Sequence, residues 1–184
     1  MKATGVIRRV DSLGRLVIPS EIRRSMRIRE GDPLELYTDK DGVVILKKYS
    51  PVGEQLGVFA ADYAETLHRT CNLCVVITDR DAVIATAGIP RKFAEKPVTE
   101  ELEQIMENRS LYQHREGDES ITPIAEENSF WVRCAMPILS EGGDIVGSVV
   151  SLGGTEGDKK LPSADVEVKL IQTAASFLGR QLES

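Results

Sequence analysis

Short apolar runs alternate with turn-forming residues through the first part of the chain, a pattern that predicts a small β-rich unit. Two runs, Gly5–Val10 and Arg15–Ile18, flank the sequence Asp-Ser-Leu-Gly at positions 11–14. Strand-like runs separated by a short loop that contains glycine are typical of a β-hairpin. Pro19 lacks a backbone donor and ends the second run. We therefore predict a hairpin over residues 5–18.

A short helix and a second hairpin follow. Ile22 and Met26 lie four residues apart, which predicts a helix over Ser20–Arg27. The runs Leu34–Thr38 and Val43–Lys48 flank the sequence Asp-Lys-Asp-Gly. Because Asp-Gly between apolar runs favours a tight turn, these runs predict a second hairpin.

Beyond Pro51 the apolar residues adopt the spacing of larger helices and strands. From Leu56 they recur at i, i+3, i+4, i+7 and i+11, which predicts an amphipathic helix over Glu54–Arg69. The polar stretch Ser110–Ser129 predicts a loop with one edge strand. The remaining predicted elements are two helices, Thr99–Asn108 and Ser163–Leu182, and four strands, Leu73–Thr78, Ala82–Thr86, Phe130–Leu139 and Asp144–Leu152. An antiparallel sheet with the first and last helices on one face predicts the α+β class.

The composition changes around Tyr49–Gly53, where proline and glycine separate the strand pattern from the helix pattern. We predict an N-terminal domain at residues 1–50, a linker at 51–55 and a C-terminal domain at 56–184. A domain as small as the first buries only about 60% of its unfolded surface. Burial against a second copy solves this problem, so we expect an obligate dimer. The last helix has apolar residues on more than one side, which predicts a further contact with a partner chain.

Composition and charge narrow the class of protein. Hydrophobic residues make up 41% of the 184 residues and charged residues 28%, as in globular proteins. No apolar run approaches the roughly 18 residues of a membrane span, and the N-terminus lacks the apolar segment of a secretory signal. We therefore expect a cytoplasmic protein with no membrane partner, whose three cysteines are reduced.

The net charge of -6 conceals an asymmetry between the two domains. Residues 1–50 carry eleven Lys and Arg against seven Asp and Glu, whereas residues 51–184 carry twelve against twenty-two. Seven arginines lie between Arg8 and Asp32. Guanidinium groups fit phosphate and guanine edges with paired hydrogen bonds. The basic character of residues 1–50 therefore indicates nucleic-acid binding. The alternative is a solvated charged face on which the helix arginines pair with Glu21 or Glu30.

Two sets of motifs resemble known families. GVIRRVDSLGRLVIPSEIRR, followed by EGDPLE, resembles the swapped-hairpin DNA-binding domain of AbrB-type transition-state regulators, and the similarity extends over residues 2–50. LCVVITDRDAVIATAG and CAMPILSEGGDIVGSVVSLGG, with a helix at each end, resemble GAF-type small-molecule sensor domains. The layout is similar to that of sporulation regulators in which a GAF-like domain follows the DNA-binding domain.

The resemblance implies an α+β protein with an N-terminal swapped-hairpin dimerisation barrel, which has one short helix, and a C-terminal GAF-like antiparallel sheet flanked by helices. It implies a sequence-specific activator and repressor of sporulation genes that acts on the nucleoid in the forespore cytoplasm. Dimers are expected to join into a homotetramer through the helices Glu54–Arg69 and Ser163–Leu182. An unidentified small molecule would bind between the sheet and its covering loops, with Ser110–Ser129 and the helix Thr99–Asn108 as the walls of the pocket. The implied DNA contacts are Arg8, Arg15, Arg23 and Arg24, with Arg9, Arg27 and Lys2 as secondary contacts.

Catalytic and metal chemistry have little support in the sequence. Cys71 and Cys74 form a CxxC pair, but zinc needs two further ligands, and the cysteine and histidines left for that purpose, Cys134, His68 and His114, have no recognised spacing. We therefore predict no catalytic residue, metal or cofactor. Two alternatives stay open: an antitoxin, since antitoxins share the swapped-hairpin fold, and a GAF-type reductase that uses thiols.

Overall fold

The computed structural model describes residues 5–32, 34–40, 42–48, 51–125, 129–154 and 161–181. The chain divides into two compact units, residues 1–50 and residues 51–184. Within the described residues, no helix has the length and hydrophobicity needed to cross a bilayer.

Over its described residues, the N-terminal unit contains one short helix and one two-stranded sheet. Helix α1 spans Ser20–Ser25, and strands β1 (Leu34–Thr38) and β2 (Val44–Lys48) pair in antiparallel register with Leu36 opposite Leu46. The predicted second hairpin is therefore confirmed. The predicted helix is shorter than expected, because the backbone leaves the helical conformation after Met26.

The predicted first hairpin is a turn without strands, which corrects that prediction. Residues 5–10 and 15–19 have no assigned strand, although the Asp11 amide donates to the Arg15 carbonyl at 3.1 Å. A strand requires a hydrogen-bonded neighbour as well as a suitable sequence. The apolar pattern of these runs predicts the strand tendency, but no described segment of the chain pairs with them.

Among the residues that the structure describes, the same turn occurs at three places. In each, the first residue donates its amide to the carbonyl four positions later, and a glycine three positions later donates back at 2.9–3.1 Å. Gly14, Gly42 and Gly143 occupy this position with φ of 75°, 77° and 81°. A turn that ends in a left-handed glycine is a common connection in hairpins of this length. Glycine is favoured there because a side chain is strained at positive φ.

None of the described side chains in the N-terminal unit is buried. Large apolar residues are instead exposed, including Ile7 at 87%, Val17 at 73% and Leu36 at 66%. Helix α1 likewise buries no residue. A folded unit without a core needs a further surface to cover these side chains, because apolar burial is the main stabilising contribution in folding.

The described part of the C-terminal unit contains three further helices and five further strands. Its elements are α2 (Pro51–Cys71), β3 (Val75–Asp79), β4 (Val83–Ala87), α3 (Glu100–Glu107), β5 (Tyr112–Gln113), β6 (Trp131–Leu139), β7 (Ile145–Gly153) and α4 (Ala164–Gln181), with one 3-10 turn at Arg91–Phe93. Residues 51–55, for which the sequence predicts a linker, form the start of α2.

The five strands form one antiparallel sheet in the order β4-β3-β7-β6-β5. Helices α2 and α4 cover one face, where Leu56, Ile171 and Leu178 are fully buried against Val75 and other sheet residues. Helix α3 and the adjoining loops cover the other face. The predicted α+β class, with the first and last helices together, is confirmed.

The face covered by α3 is filled with side chains. The Thr99 hydroxyl accepts the Leu102 amide at 3.3 Å and caps the helix, and Leu102 is buried in the same cluster as Val76 and Val150. Within Ser110–Ser129, strand β5 pairs with β6 as the predicted edge strand. The side chains of α3 thus contribute to the core in the place where the sequence suggested a pocket wall.

Candidate nucleic-acid interface

Helix α1 ends in a hydrogen-bonded cap that puts Arg27 in an unusual backbone conformation. The Ile28 amide donates to the Arg23 carbonyl at 2.7 Å and the Arg27 amide to the Arg24 carbonyl at 3.2 Å. These two bonds define a Schellman cap, in which glycine usually occupies the left-handed position. Here Arg27 occupies it with φ of 49°. A long cationic side chain therefore stands where glycine would fit with less strain.

Arg23 and Arg24 lie in the last turn of α1 and are exposed. Among the residues that the structure describes, neither side chain has a carboxylate partner, so the predicted alternative of pairing with Glu21 or Glu30 is not found there. Cations at the C-terminal end of a helix are favoured by its dipole. Both guanidinium groups are therefore held on a regular element and face solvent.

Arg15 is positioned by the turn that precedes it. Asp11 accepts the Leu13 and Arg15 amides at 2.9 and 2.8 Å, and its other oxygen accepts Arg15 Nε at 2.8 Å. The Arg15 amide and then its side chain hold the pKa of Asp11 below its usual value. The Arg15 side chain is still 71% exposed. The ion pair with Asp11 is made through Nε of Arg15.

The remaining predicted contacts lie on the segment before this turn. Arg8 and Arg9 are both exposed, and Arg8 Nη1 donates to the Ile7 carbonyl at 3.1 Å. Lys2 lies outside the described residues. The predicted arginines thus occupy three local segments: the extended segment at residues 8–9, the turn at residue 15 and helix α1.

Two acidic residues that sequence reasoning passed over organise this basic unit. Asp11 fixes the turn that carries Arg15. Asp32 accepts the Arg29 amide at 2.8 Å and lies 3.5 Å from Lys48 Nζ, so it connects the segment after α1 to the end of β2. An aspartate at the start of a glycine turn was a usable signal for Asp11, because such side chains bond the backbone of their own turn.

Two of the three thiols in the C-terminal unit are buried, as is typical of structural cysteines. All three cysteines are free; Cys74 and Cys134 are buried and Cys71 is partly exposed. Burial, with a further contribution from the charge of Glu167, raises the pKa of Cys134 to about 12. A thiol that stays protonated at neutral pH is a poor nucleophile. Among the described residues, no group of three or more His, Cys, Asp or Glu side chains is arranged to hold a metal ion.

Two family models match the chain, one for each unit. Residues 55–183 match the family "Stage V sporulation protein T C-terminal, transcription factor". Residues 7–54 match the family "Antidote-toxin recognition MazE, bacterial antitoxin". The two matches meet close to the division that the structure makes between residues 50 and 51.

Individual proteins are also similar to this chain. Transition state regulatory protein AbrB of Bacillus subtilis is 59% identical over 51 residues, which are 28% of this chain and 52% of that protein. A solved GAF domain/HD domain protein from Geobacter sulfurreducens is 18% identical, with a TM-score of 0.47, and the match covers 74% of this chain and 95% of that chain. Stage V sporulation protein T of Bacillus subtilis is 46% identical over 187 residues, which cover 100% of this chain and 99% of that protein. The chain therefore belongs to the stage V sporulation protein T family of DNA-binding transcription factors.

Proposed function

We propose that the chain activates and represses sporulation genes by binding specific DNA sequences through paired N-terminal units. The observation that carries this proposal is that uncovered apolar side chains and exposed arginines occur together within residues 5–48. The apolar side chains require a second protein surface. The arginines suit a polyanion with regularly spaced phosphates.

A second copy of residues 1–50 is the proposed cover for the apolar side chains. The segments 5–10 and 15–19 have strand-like sequences but no strand neighbour among the residues that the structure describes. In a swapped-hairpin dimer, each segment pairs with its counterpart in the other chain. Full burial of side chains such as Ile7 and Val17 contributes about 1.5–3 kcal/mol each. Folding of this unit and dimer formation are then one process.

The dimer doubles the arginines and brings the three segments onto one face. Arg8, Arg15, Arg23 and Arg24 are the proposed principal contacts with DNA; Arg9, Arg27 and Lys2 are the secondary ones. Their exposure supports this assignment. If each of the four principal arginines displaces a counterion, eight contacts per dimer give log K against log[salt] a slope of about -7.

Two dimers are proposed to join through α2 and α4. Apolar side chains on these helices remain exposed, including Val58 at 68%, Val166 at 47% and Phe177 at 40%. The rings of Tyr63 and Phe177 lie 5.2 Å apart and connect the two helices. This shared surface suits a second copy of itself, as in a two-fold interface.

The C-terminal unit is proposed to regulate the assembly and not to catalyse a reaction. The burial of Cys74 and Cys134, together with the raised pKa of Cys134, supports this view over a reductase that uses either of these two thiols. We propose that the unit senses a small molecule, as GAF-type domains do, and that the protein works on DNA in the forespore cytoplasm.

An antitoxin is the second candidate, favoured by the match of residues 7–54 to the MazE antitoxin family. Such proteins hold a toxin on a short tail, whereas this chain continues as a folded unit over residues 51–184. Recovery of a small toxin bound to the full chain would support the antitoxin role.

The proposal is tested by titrating the full chain onto DNA that it selects from a random library, at a series of salt concentrations. We expect a slope of about -7 for the native protein and about -4 when Arg23 and Arg24 are both changed to Ala. The matched control is Arg91→Ala, which removes an exposed arginine from the C-terminal unit and should leave the slope unchanged. An affinity that hardly depends on salt would contradict the proposal.

A further inference from the structure

Helix α4 carries two apolar stripes along its length. One consists of Ile171, Ala174 and Leu178, which are fully buried against the sheet. The other includes Val166 and Phe177, which remain 47% and 40% exposed. Because the helix has about 3.6 residues per turn, the two stripes lie roughly 100° apart around its axis. Apolar burial has no preferred direction, so apolar contacts alone do not explain why the first stripe faces the sheet and the second does not.

A buried glutamate in the first turn of α4 adds directional contacts. Arg133 Nη2 on β6 donates to Glu167 Oε2 at 2.9 Å, and Arg133 Nε donates to Oε1 at 3.1 Å. The Ser151 hydroxyl on β7 donates to the same Oε1 at 2.6 Å. The Glu167 side chain is 4% exposed and that of Arg133 is 25% exposed. The start of α4 is therefore held to two neighbouring strands by a satisfied carboxylate.

This ion pair separates two ways of packing the same helix. A buried ion pair contributes little to stability compared with apolar side chains of similar size, but a buried charge that loses its partner is costly. Turning α4 to bring Val166 and Phe177 onto the sheet would take Glu167 away from Arg133 and Ser151. Sequences need features that disfavour the alternative packings their apolar pattern allows. The ion pair is such a feature for α4.

A close backbone contact locates the other end of the helix. A Cβ added to Gly179 would lie 2.3 Å from the Leu139 carbonyl oxygen at the end of β6, so only glycine fits at this place. Gly179 lies 12 residues beyond Glu167, which is about 18 Å along the helix. With both ends located in this way, Phe177 lies beside Tyr63 of α2, and the two ring centroids are 5.2 Å apart.

We propose that Arg133, Glu167 and Ser151 set the rotation of α4 on the sheet, and that they thereby keep the face with Val166 and Phe177 for a second copy of this chain. The three residues are positioning residues, because they act on the assembly through the orientation of α4. That a second copy covers this face rests on the tetramer proposed above, whereas the rotation of α4 does not depend on the tetramer.

The ring contact between Tyr63 and Phe177 reports this rotation. The chain has four tyrosines and four phenylalanines, so selective labelling of the full-length protein gives few NMR signals. The contact is measured in the Val58→Glu variant, whose added charge on the proposed interface should prevent tetramers. We expect cross-peaks between the two rings there, and we expect them to disappear when Arg133→Met and Glu167→Leu are added. Cross-peaks between Phe93 and Phe130, whose ring centroids lie 5.6 Å apart on the α3 face, should not change.

Unfolding of the same proteins separates positioning from stability. The urea concentration at half unfolding, followed by the fluorescence of Trp131, the single tryptophan, should not fall in the double variant. Apolar side chains then replace the ion pair, and the Ser151 hydroxyl keeps the Cys134 carbonyl at 3.3 Å as an acceptor. The matched control, Arg91→Met with Glu107→Leu, makes the same exchanges at exposed sites and should leave both the ring contact and the unfolding unchanged.

Single variants carry the test if the double variant does not fold. Glu167→Gln keeps hydrogen-bonding atoms at that position and should keep the cross-peaks between Tyr63 and Phe177, whereas Glu167→Met should lose them. A folded double variant with native cross-peaks, or equal cross-peaks in Glu167→Gln and Glu167→Met, would overturn the proposal.

The effect on assembly is measured separately, without Val58→Glu. The change of Arg133 to Met and Glu167 to Leu should raise the dissociation constant of tetramers into dimers at least about tenfold, which corresponds to about 1.4 kcal/mol. Native mass spectrometry over a dilution series measures this constant. A native chain that stays dimeric would contradict the proposed tetramer, while the ring contact would still decide whether the ion pair sets the rotation of α4.

Discussion

Arg27 lowers the stability of the end of α1, because it occupies a backbone conformation that favours glycine. Its φ of 49° at the end of α1 is the position that glycine usually occupies in this type of cap. A non-glycine residue in the left-handed region costs roughly 1 kcal/mol. Retaining arginine there suggests that the guanidinium is useful, which agrees with its proposed secondary contact with DNA.

We therefore expect Arg27→Gly to raise the free energy of unfolding by about 1 kcal/mol and to weaken DNA binding at the same time. Thermal unfolding and DNA titration at one fixed salt concentration measure the two effects. Arg27→Lys keeps both the charge and the strain, and should bind DNA nearly as well as the native protein. If Arg27→Gly binds DNA at native affinity, Arg27 does not contact DNA.

Cys134 predicts a measurable loss of stability at alkaline pH. Its pKa is raised from 9.0 to about 12 in the folded protein, first by burial and then by the charge of Glu167. The unfolded chain releases this proton at the lower pH, so the contribution of Cys134 is fully present below pH 9 and is lost as the pH rises from about 9 to about 12. Urea unfolding over this pH range should show a smaller decline in Cys134→Ala than in the native chain. Equal declines would contradict the assignment.

At the scale of elements, local patterns predicted most of the secondary structure, because apolar spacing and turn residues act within a few positions of each other. The hairpin of β1 and β2 and the helix pair α2 and α4 follow from such patterns. The pair formed by Arg133 and Glu167 was missed, since the two residues are 34 positions apart and meet only when α4 packs on β6. The strands expected in residues 5–18 are absent for a related reason: their sequence is suitable, but no other described segment pairs with them as a strand.

The turn at residues 11–15 offers a test in which geometry and net charge predict opposite results. Asp11→Ala removes a negative charge from a basic unit, which by charge alone should tighten DNA binding. It also removes the three hydrogen bonds that hold the turn and Arg15. Because a loosened guanidinium loses more conformational entropy on binding, we expect DNA affinity to fall roughly three- to tenfold. Asp11→Asn keeps an acceptor for the backbone amides, so its DNA affinity should lie between that of the native protein and that of Asp11→Ala. Tighter binding by Asp11→Ala would show that Asp11 does not position Arg15.

At the scale of the whole molecule, the exposed apolar faces of α2 and α4 predict that a single substitution there separates the proposed tetramer into dimers. Val58→Glu places a charge at a residue that is 68% exposed, so the fold of the single chain should be unaffected. Burying that charge between copies would cost several kcal/mol, and we expect dimers in place of tetramers. Native mass spectrometry of the full chain measures this change. Gln104→Glu adds the same charge on α3 at an exposed site on the other face and should leave tetramers intact.

The uncovered apolar side chains of residues 5–48 also affect the lifetime of the proposed dimer. If two chains must cover these side chains for one another, then separating them means undoing the fold of both. Subunits would exchange slowly between dimers, and each chain would stay paired with the chain with which it first folded. A defective copy made beside a normal one would therefore trap it in a mixed pair, and such alleles should be dominant over the wild type.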